Sequence, residues 1–190
     1  MTAFTLRPGR LRDAAEEIER STGLRAQIIG GTVMSSPTLR GKHAGTVQVL
    51  RDQLIPQLPK DLRAYEVSSI YMPDDEDDYA TPDLVVLPKD WGRDDEWLAD
   101  PRDVAIALEV ISSSERVSGI ATKTDWYATA GVAVLLTADP RKGTWTLYTH
   151  PRDGAYQGVR HGKDGVPVPL AAPLPPELRT DELPLHAPKA

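Results

Sequence analysis

Three charged side chains stand in apolar segments of this 190-residue chain: Asp83, Glu109 and Lys123. Asp83 precedes the apolar run 84–87, and Glu109 interrupts the apolar run 104–111 near its end. A buried charge costs free energy unless it is paired or binds a metal ion. If the two runs are neighbouring strands, both carboxylates can bind one hard cation, because Mg²⁺ takes one or two carboxylates together with water and phosphate oxygens. The residue types therefore indicate a candidate metal site.

Lys123 belongs to a segment with helical spacing of its apolar residues. Ile120 and Tyr127 lie three residues before it and four after it, and they are the residues expected to face inward. Lys123 then points roughly towards the sheet, where its ammonium could stabilise negative charge or orient a water molecule near a phosphodiester. A partly buried salt bridge between Lys123 and Glu109, with Asp83 simply beginning a strand, explains the same pattern, and residue types alone leave both interpretations open.

The apolar pattern also predicts the elements that position these residues. Strands are expected over 84–87, 104–111, 132–138 and 144–149, and a helix over 117–130 ends at Gly131. The helix with its two flanking strands is consistent with a βαβ unit or with an antiparallel return. The other predicted elements are a helix over 12–20, a hairpin around Gly30-Gly31 over 24–36, a second helix over 39–54, a strand over 64–72 and a weak hairpin over 155–170. This order predicts a mixed central sheet flanked by helices, of α/β or α+β class.

Length and composition narrow the class of protein. The chain fits one domain over 1–170, followed by a Pro-rich C-terminal tail over 171–190 that is irregular and extended on the surface or disordered. A net charge of -6 marks no overall nucleic-acid-binding surface, but a local basic cleft remains compatible with it. The absence of cysteine excludes disulfides and thiolate catalysis. Neither a signal peptide nor an apolar run of about 18 residues is present, which predicts a cytoplasmic protein without a membrane partner.

The stretch 81–140 combines several short motifs. They are Pro82-Asp83-Leu84-Val85-Val86, Leu108-Glu109-Val110-Ile111-Ser112-Ser113-Ser114, and Lys123 with Tyr127-Ala128-Thr129-Ala130-Gly131-Val132 and Asp139. Together they resemble the Uma-two family of bacterial endonuclease domains, which belongs to the PD-(D/E)XK superfamily. The resemblance implies a restriction-endonuclease-like fold, and it extends more weakly from about residue 23 to about residue 148.

The resemblance implies a metal-dependent endonuclease that uses Mg²⁺ or Mn²⁺ and acts on DNA. Asp83, Glu109 and the main-chain carbonyl of Val110 would bind the metal, and Lys123 would complete the catalytic residues. The superfamily motif often has its lysine two residues after the second acid, where this chain has Ile111. Lys123 matches a lysine displaced onto the following helix. A homodimer would supply the two sites that double-strand cleavage needs.

Other side chains are auxiliary candidates. His43, on the second predicted helix, could approach the site, although a half-exposed helix histidine is the favoured interpretation. Ser112 could bind a phosphate, although helix capping by the serine cluster is favoured. Tyr127 shares the helix face of Lys123. The five consecutive acids at 74–78 lack the spacing of a calcium loop and are interpreted as a solvated turn.

One departure from the family pattern lies in the first hairpin. The family usually carries acids there, whereas this chain has Gln27, Gly31 and Thr32. Glu17 and Glu66 are the candidates to replace the missing acid. The departure supports an alternative function, in which a catalytically inactive nuclease-fold module acts in binding or assembly.

Overall fold

The computed structural model describes residues 10–36, 41–93, 95–112 and 117–184. In these ranges the chain forms three α-helices, α1 (Arg10–Thr22), α2 (Gly41–Leu54) and α3 (Val117–Ala130). It also forms thirteen strands, which are β1 (Arg25–Ile29), β2 (Thr32–Ser36), β3 (Leu62–Glu66), β4 (Ser69–Tyr71), β5 (Tyr79–Ala80), β6 (Leu84–Pro88), β7 (Leu98–Ala99), β8 (Ile106–Val110), β9 (Val134–Asp139), β10 (Thr144–Arg152), β11 (Ala155–Lys163), β12 (Val168–Pro169) and β13 (Glu177–Leu178).

The central sheet has six strands in the order β11-β10-β9-β8-β6-β3. Its neighbouring strands are antiparallel except for β8 and β9, which are parallel and joined by α3. The βαβ unit is therefore confirmed, and the antiparallel return is wrong. Both β8 and β9 are covered on their two faces, which explains why their sequences are continuous apolar runs.

One face of the central sheet packs against α2 and the C-terminal segment. Val47, Leu50 and Leu54 of α2 pack with Leu84 and Leu108 of the sheet. The same core cluster includes Val168, Leu174 and Leu178 from the C-terminal segment. Of the two states expected for the tail, disorder does not apply to residues 171–184, since burying its leucines stabilises the position of the segment on the sheet.

The other face packs against α3 and a second sheet. Trp126 and Tyr127 of α3 lie in one cluster with Val85 and Ala107 of the central sheet. The second sheet has five strands in the order β2-β1-β5-β4-β7. Its far side is covered by α1, where Ala15 packs with apolar residues of β1 and β5. This arrangement confirms the predicted mixed sheet flanked by helices.

The N-terminal hairpin is also confirmed. Strands β1 and β2 pair antiparallel from Arg25↔Ser36 to Ile29↔Thr32. The turn residues Gly30 and Gly31 have φ values of 57° and 69°. Two successive positive φ angles are typical of a primed hairpin turn, which glycine adopts without steric cost.

Two strand predictions are wrong. The predicted strand 64–72 is divided into β3 and β4, which belong to different sheets. Val67 between them has φ 57°, in the left-handed region that interrupts an extended strand. In the predicted hairpin 155–170, β11 pairs with β10 and β12 pairs with β13 instead.

No helix in the described ranges is long and apolar enough to cross a membrane. The cytoplasmic location and the division at residue 170 stay predictions.

Candidate active site

The register of the central sheet brings Asp83 and Glu109 together. Strands β6 and β8 pair antiparallel with Leu84 opposite Leu108, so Asp83, just before β6, comes opposite Glu109. Residues directly opposite each other in an antiparallel pair point to the same face. Asp83 Oδ2 also accepts a buried hydrogen bond of 2.8 Å from the N–H of Val110. The two acids therefore lie close together at one end of the sheet.

Two side chains of α3 hold the Glu109 carboxylate. Lys123 Nζ donates to Glu109 Oε2 at 2.7 Å, and the Tyr127 hydroxyl donates to Oε1 at 2.7 Å. The side chains of Lys123 and Glu109 are each 12% exposed, so the ion pair is shielded from water on most sides. The four-residue spacing of Lys123 and Tyr127 places both on the face of α3 that packs on the sheet.

These three polar groups line a small pocket between α3 and the sheet. Its apolar wall is formed by Ile111, Ile120 and Leu135, and Thr124 and Thr137 complete the lining. Burial raises the pKa of Glu109, the Lys123 ammonium opposes that rise, and the nearby Asp83 carboxylate adds to it. Burial is the main cause that raises the pKa of Tyr127 well above its ordinary value, and the negative charge of Glu109 is the second cause. Tyr127 is therefore a neutral donor.

The second oxygen of Asp83 faces two nitrogen-bearing side chains. His43 Nε2 lies 2.9 Å from Asp83 Oδ1, and Arg25 Nη2 lies 3.8 Å from the same oxygen. His43 is only 7% exposed, so the half-exposed interpretation of this histidine is wrong. The 2.9 Å contact is an ion pair whose geometry is not that of an aligned hydrogen bond. Among the described residues, His43 Nε2 and Arg25 Nη1 are buried without a hydrogen-bond partner.

Sequence reasoning missed Arg25 and undervalued His43. A signal for the histidine was present, since His43, Val47, Leu50 and Leu54 follow one another at helical spacing on the buried face of α2. No comparable signal marks Arg25, because the strand β1 reaches Asp83 only through the packing of the second sheet.

The other predicted residues lie apart from this centre. Glu17 on α1 pairs with Arg20, and Glu66 pairs with Arg51 at 3.2 Å. Each glutamate therefore has an ion pair of its own, and replacement of the missing hairpin acid by either of them stays a prediction. Gln27 is buried, and its amide oxygen accepts from the Thr81 N–H at 3.3 Å.

Ser112 follows β8 and is partly buried. Ser113 and Ser114 lie outside the described residues, so helix capping by the serine cluster stays a prediction.

The acidic run contains one buried structural residue, Asp78. Its carboxylate accepts hydrogen bonds from Gly30 N–H at 2.5 Å, Gly31 N–H at 2.8 Å and Trp126 Nε1–H at 3.2 Å. The solvated-turn interpretation is therefore wrong for Asp78, which is 3% exposed. Asp78 connects the hairpin turn to α3, where Trp126 packs edge to face on Tyr127 with ring centroids 5.3 Å apart.

The donor atoms at the sheet end fit a hard divalent cation. No three His, Cys, Asp or Glu side chains of the described ranges are grouped so that they could hold a metal together. Two carboxylates are nevertheless sufficient for Mg²⁺ when water completes the coordination. Each carboxylate oxygen of Asp83 and Glu109 retains lone-pair capacity beyond its present partner. The Val110 carbonyl points to the same side of β8 as its N–H, which faces Asp83.

Comparisons with known proteins bear on the family and the fold of the chain. A family model named Uma2, described as "Putative restriction endonuclease", matches residues 12–185. The fold is similar to a solved structure described as a putative nuclease belonging to DUF820 from Anabaena variabilis ATCC 29413, with 18% sequence identity and a TM-score of 0.58. That similarity covers 80% of this chain and 84% of the other, and at this identity it shows the fold alone. No curated protein matches the chain.

Proposed function

Because the chain belongs to the Uma2 family of putative restriction endonucleases, we propose that it is a metal-dependent endonuclease that hydrolyses phosphodiester bonds in DNA. The observation that best supports this proposal is that Asp83 and Glu109 lie together at one end of the sheet, where Lys123 forms an ion pair with Glu109 at 2.7 Å. Two neighbouring carboxylates, one of them ion-paired with an ammonium group, are groups that metal-assisted phosphoryl transfer uses.

Each of these residues has its own role in the proposed reaction. Asp83, Glu109 and the Val110 carbonyl would hold Mg²⁺ or Mn²⁺. A cation bound there would neutralise phosphate charge and lower the pKa of a water molecule. Lys123 contributes a positive charge beside the position where negative charge develops on the phosphate oxygens. Tyr127 and Lys123 fix the two oxygens of Glu109, and the Val110 N–H fixes one oxygen of Asp83. Such fixed geometry reduces reorganisation during the reaction.

Cleavage of supercoiled plasmid and of single-stranded DNA, with Mn²⁺ present or absent, tests the proposal. Wild type is compared with Asp83→Ala, Glu109→Ala and Lys123→Ala, and Lys163→Ala on the exposed strand β11 is the matched control. We expect cleavage by wild type and the control only. Equal cleavage by all five proteins would sink the proposal, because it would point to a contaminating nuclease.

The alternative is a catalytically inactive module of the same fold that acts in binding or assembly. Gln27 supports it, because a neutral amide is buried in the hairpin where the family pattern has acids. Calorimetric titration with Mn²⁺ separates the two functions. Heat of binding that disappears in Asp83→Ala supports the endonuclease, whereas no heat from wild type supports the inactive module.

A homodimer is part of the endonuclease proposal, since cutting both strands of a duplex in one encounter needs two sites. Sedimentation of the protein with and without a DNA duplex measures this directly. A monomer in both conditions would restrict the proposal to nicking or to single-stranded substrates.

A further inference from the structure

The buried carboxylate of Asp78 connects the second sheet to helix α3. It is 3% exposed and accepts a hydrogen bond of 3.2 Å from the indole N–H of Trp126. The same carboxylate accepts from the N–H groups of Gly30 and Gly31 in the hairpin turn. None of these groups has a part in the proposed reaction, yet Trp126 belongs to the helix that carries two residues of the candidate site.

The main chain around Asp78 is itself fixed. Its N–H donates to Asp75 Oδ1 at 3.0 Å, and its carbonyl accepts from the Met72 N–H at 3.0 Å. Asp78 directly precedes β5, which pairs antiparallel with both β1 and β4. The acceptor of the Trp126 N–H is therefore held by the second sheet. Because a hydrogen bond weakens steeply when it is misaligned, a fixed acceptor also orients the indole ring.

Helix α3 is held mainly through its C-terminal half. Its buried residues are Trp126, Tyr127, Ala128 and Ala130, whereas Val117 in its first turn is 75% exposed. The Trp126 ring lies in the core cluster that contains residues of both sheets together with Tyr127. The contacts of Trp126 therefore help to set the rotation of α3 about its own axis.

This rotation decides whether the side chains of α3 reach Glu109. Trp126 lies three residues after Lys123 and one before Tyr127, so its side chain leaves the helix about 100° away from that of Tyr127. The tip of a long side chain lies about 5 Å or more from the helix axis, so a rotation of about 10° moves it by about 1 Å. A displacement of about 1 Å at a reacting centre can lower a rate about 100-fold.

We infer that Asp78 is a positioning residue that acts through the Trp126 indole. It holds α3 in the rotation that brings Lys123 and Tyr127 onto Glu109. The expected effect on cleavage rests on the proposed function, whereas the effect on the position of the Lys123 ammonium depends only on contacts within the folded chain.

Acetylation of the native full chain by N-hydroxysuccinimidyl acetate, with each lysine measured by mass spectrometry, tests the inference without cleavage. Trp126→Phe keeps a buried ring and removes the donor to Asp78. Trp145→Phe is the matched control, because this indole is equally buried and donates to the Val166 carbonyl at 2.8 Å on the face covered by α2. We expect Lys123 to be acetylated about five-fold faster in Trp126→Phe, and at the wild-type rate in Trp145→Phe.

A second variant removes the acceptor instead of the donor. Asp78→Ala should accelerate acetylation of Lys123 at least as much as Trp126→Phe does, with the exposed Lys163 as internal reference. In plasmid cleavage, Trp126→Phe is expected to lower kcat about ten-fold with little change in KM, whereas Trp145→Phe should retain both values.

The outcomes separate this inference from the proposed function. An unchanged rate of Lys123 acetylation in Trp126→Phe would overturn the positioning role. An equal increase in Trp126→Phe and Trp145→Phe would also overturn it, because it would indicate general loosening of the fold. A wild type that cleaves no DNA would overturn the proposed function, and the acetylation rates would still decide whether the indole positions Lys123.

Discussion

Lys123 reaches Glu109 from the following helix, with Nζ 2.7 Å from Oε2 across 14 residues of chain. Ile111, two residues after Glu109 on the strand side, lines the same pocket as Lys123. The ammonium therefore occupies the neighbourhood of the second acid although the adjacent strand position carries an apolar side chain. Packing of helix α3 on the sheet therefore brings to Glu109 the ammonium group that a lysine two residues further along the chain would otherwise provide.

Replacing Lys123 by methionine keeps the length of the side chain and removes its charge. We expect Lys123→Met to lower the first-order rate of plasmid cleavage about 100-fold, the typical effect of losing one electrostatic donor at a reacting centre. Lys163→Met, on the exposed face of β11, serves as the control and should cleave at the wild-type rate. An unchanged rate for Lys123→Met would remove Lys123 from the proposed chemistry.

Tyr127 is expected to stabilise the fold through its hydroxyl. Tyr127→Phe keeps the buried ring against Trp126 and removes the hydrogen bond to Glu109 Oε1. Hydrogen bonds to charged groups contribute roughly 2 kcal/mol, so the free energy of unfolding should fall by about that amount in urea titrations. Tyr65→Phe, which removes an exposed hydroxyl bond to the Lys89 carbonyl, should cost less than about 1 kcal/mol. Equal costs at both sites would contradict the role given to the Glu109 contact.

Asp78 is expected to be the most important acid of the run 74–78 for stability. Asp78→Ala leaves the Gly30 and Gly31 N–H groups and the Trp126 indole without their acceptor. We expect a loss of about 3 kcal/mol or more in the free energy of unfolding, because charge-assisted hydrogen bonds are lost together. Glu76→Ala, at an exposed position of the same run, should change stability by less than about 0.5 kcal/mol. A similarly small effect for Asp78→Ala would mean that the Gly30-Gly31 turn is stable without its hydrogen bonds to Asp78.

Arg25 is expected to contact a phosphate group of DNA. Its guanidinium lies 3.8 Å from Asp83 and its side chain is 28% exposed, which leaves part of the guanidinium accessible to a phosphate oxygen, and guanidinium groups bind phosphate oxygens well. Arg25→Gln should weaken binding to a short duplex and reduce the slope of log K against log salt by about one unit. Fluorescence anisotropy in EDTA measures both quantities without cleavage. Arg160→Gln on exposed β11 is the control, and an identical slope for the two variants would exclude the contact.

Tyr79 should make the stability of the fold fall at alkaline pH. Burial, with Glu19 and Glu16 adding to it, raises the pKa of Tyr79 to about 12 from an ordinary value of 10.0. Between the two pKa values, the folded protein keeps a proton on Tyr79 that the unfolded chain has lost. The contribution of Tyr79 to the free energy of unfolding is therefore full below pH 10.0 and is lost as the pH rises to about 12. Tyr79→Phe keeps the edge-to-face contact with Trp97 and cannot ionise. Urea titrations from about pH 9 to about pH 11 should show wild type losing stability relative to the variant, and parallel curves would contradict this.

The sequence was most informative where one physical pattern dominated. The apolar runs of β6, β8 and β9 and the helical spacing around Lys123 are consequences of burial, and burial is what periodicity measures. Those elements made one site of Asp83, Glu109 and Lys123 possible, and the register of β6 with β8 then brought the two acids together. The family resemblance named the same residues, and the chain's membership is now shown.

The errors have a different physical origin. Strands β4, β5 and β7 have only two or three residues, too few to show a period, so the second sheet was invisible. Asp78 looked like its solvated neighbours because its partners, Trp126 and the turn glycines, are distant in sequence. Leu174 and Leu178 are buried between prolines by contact with α2 and the central sheet rather than by local pattern. In each case tertiary contacts decided the outcome.

The hydrogen bond from the Val110 N–H to Asp83 has a consequence for relatives of this chain. Because Asp83 satisfies a buried main-chain donor where β6 begins, selection for a stable sheet would preserve the residue even after cutting had been lost. Retention of this aspartate in a homologue therefore says little about whether that homologue is active. Lys123 of α3 is the more informative residue to compare, because burying its charge costs free energy that selection would accept only for a functional role.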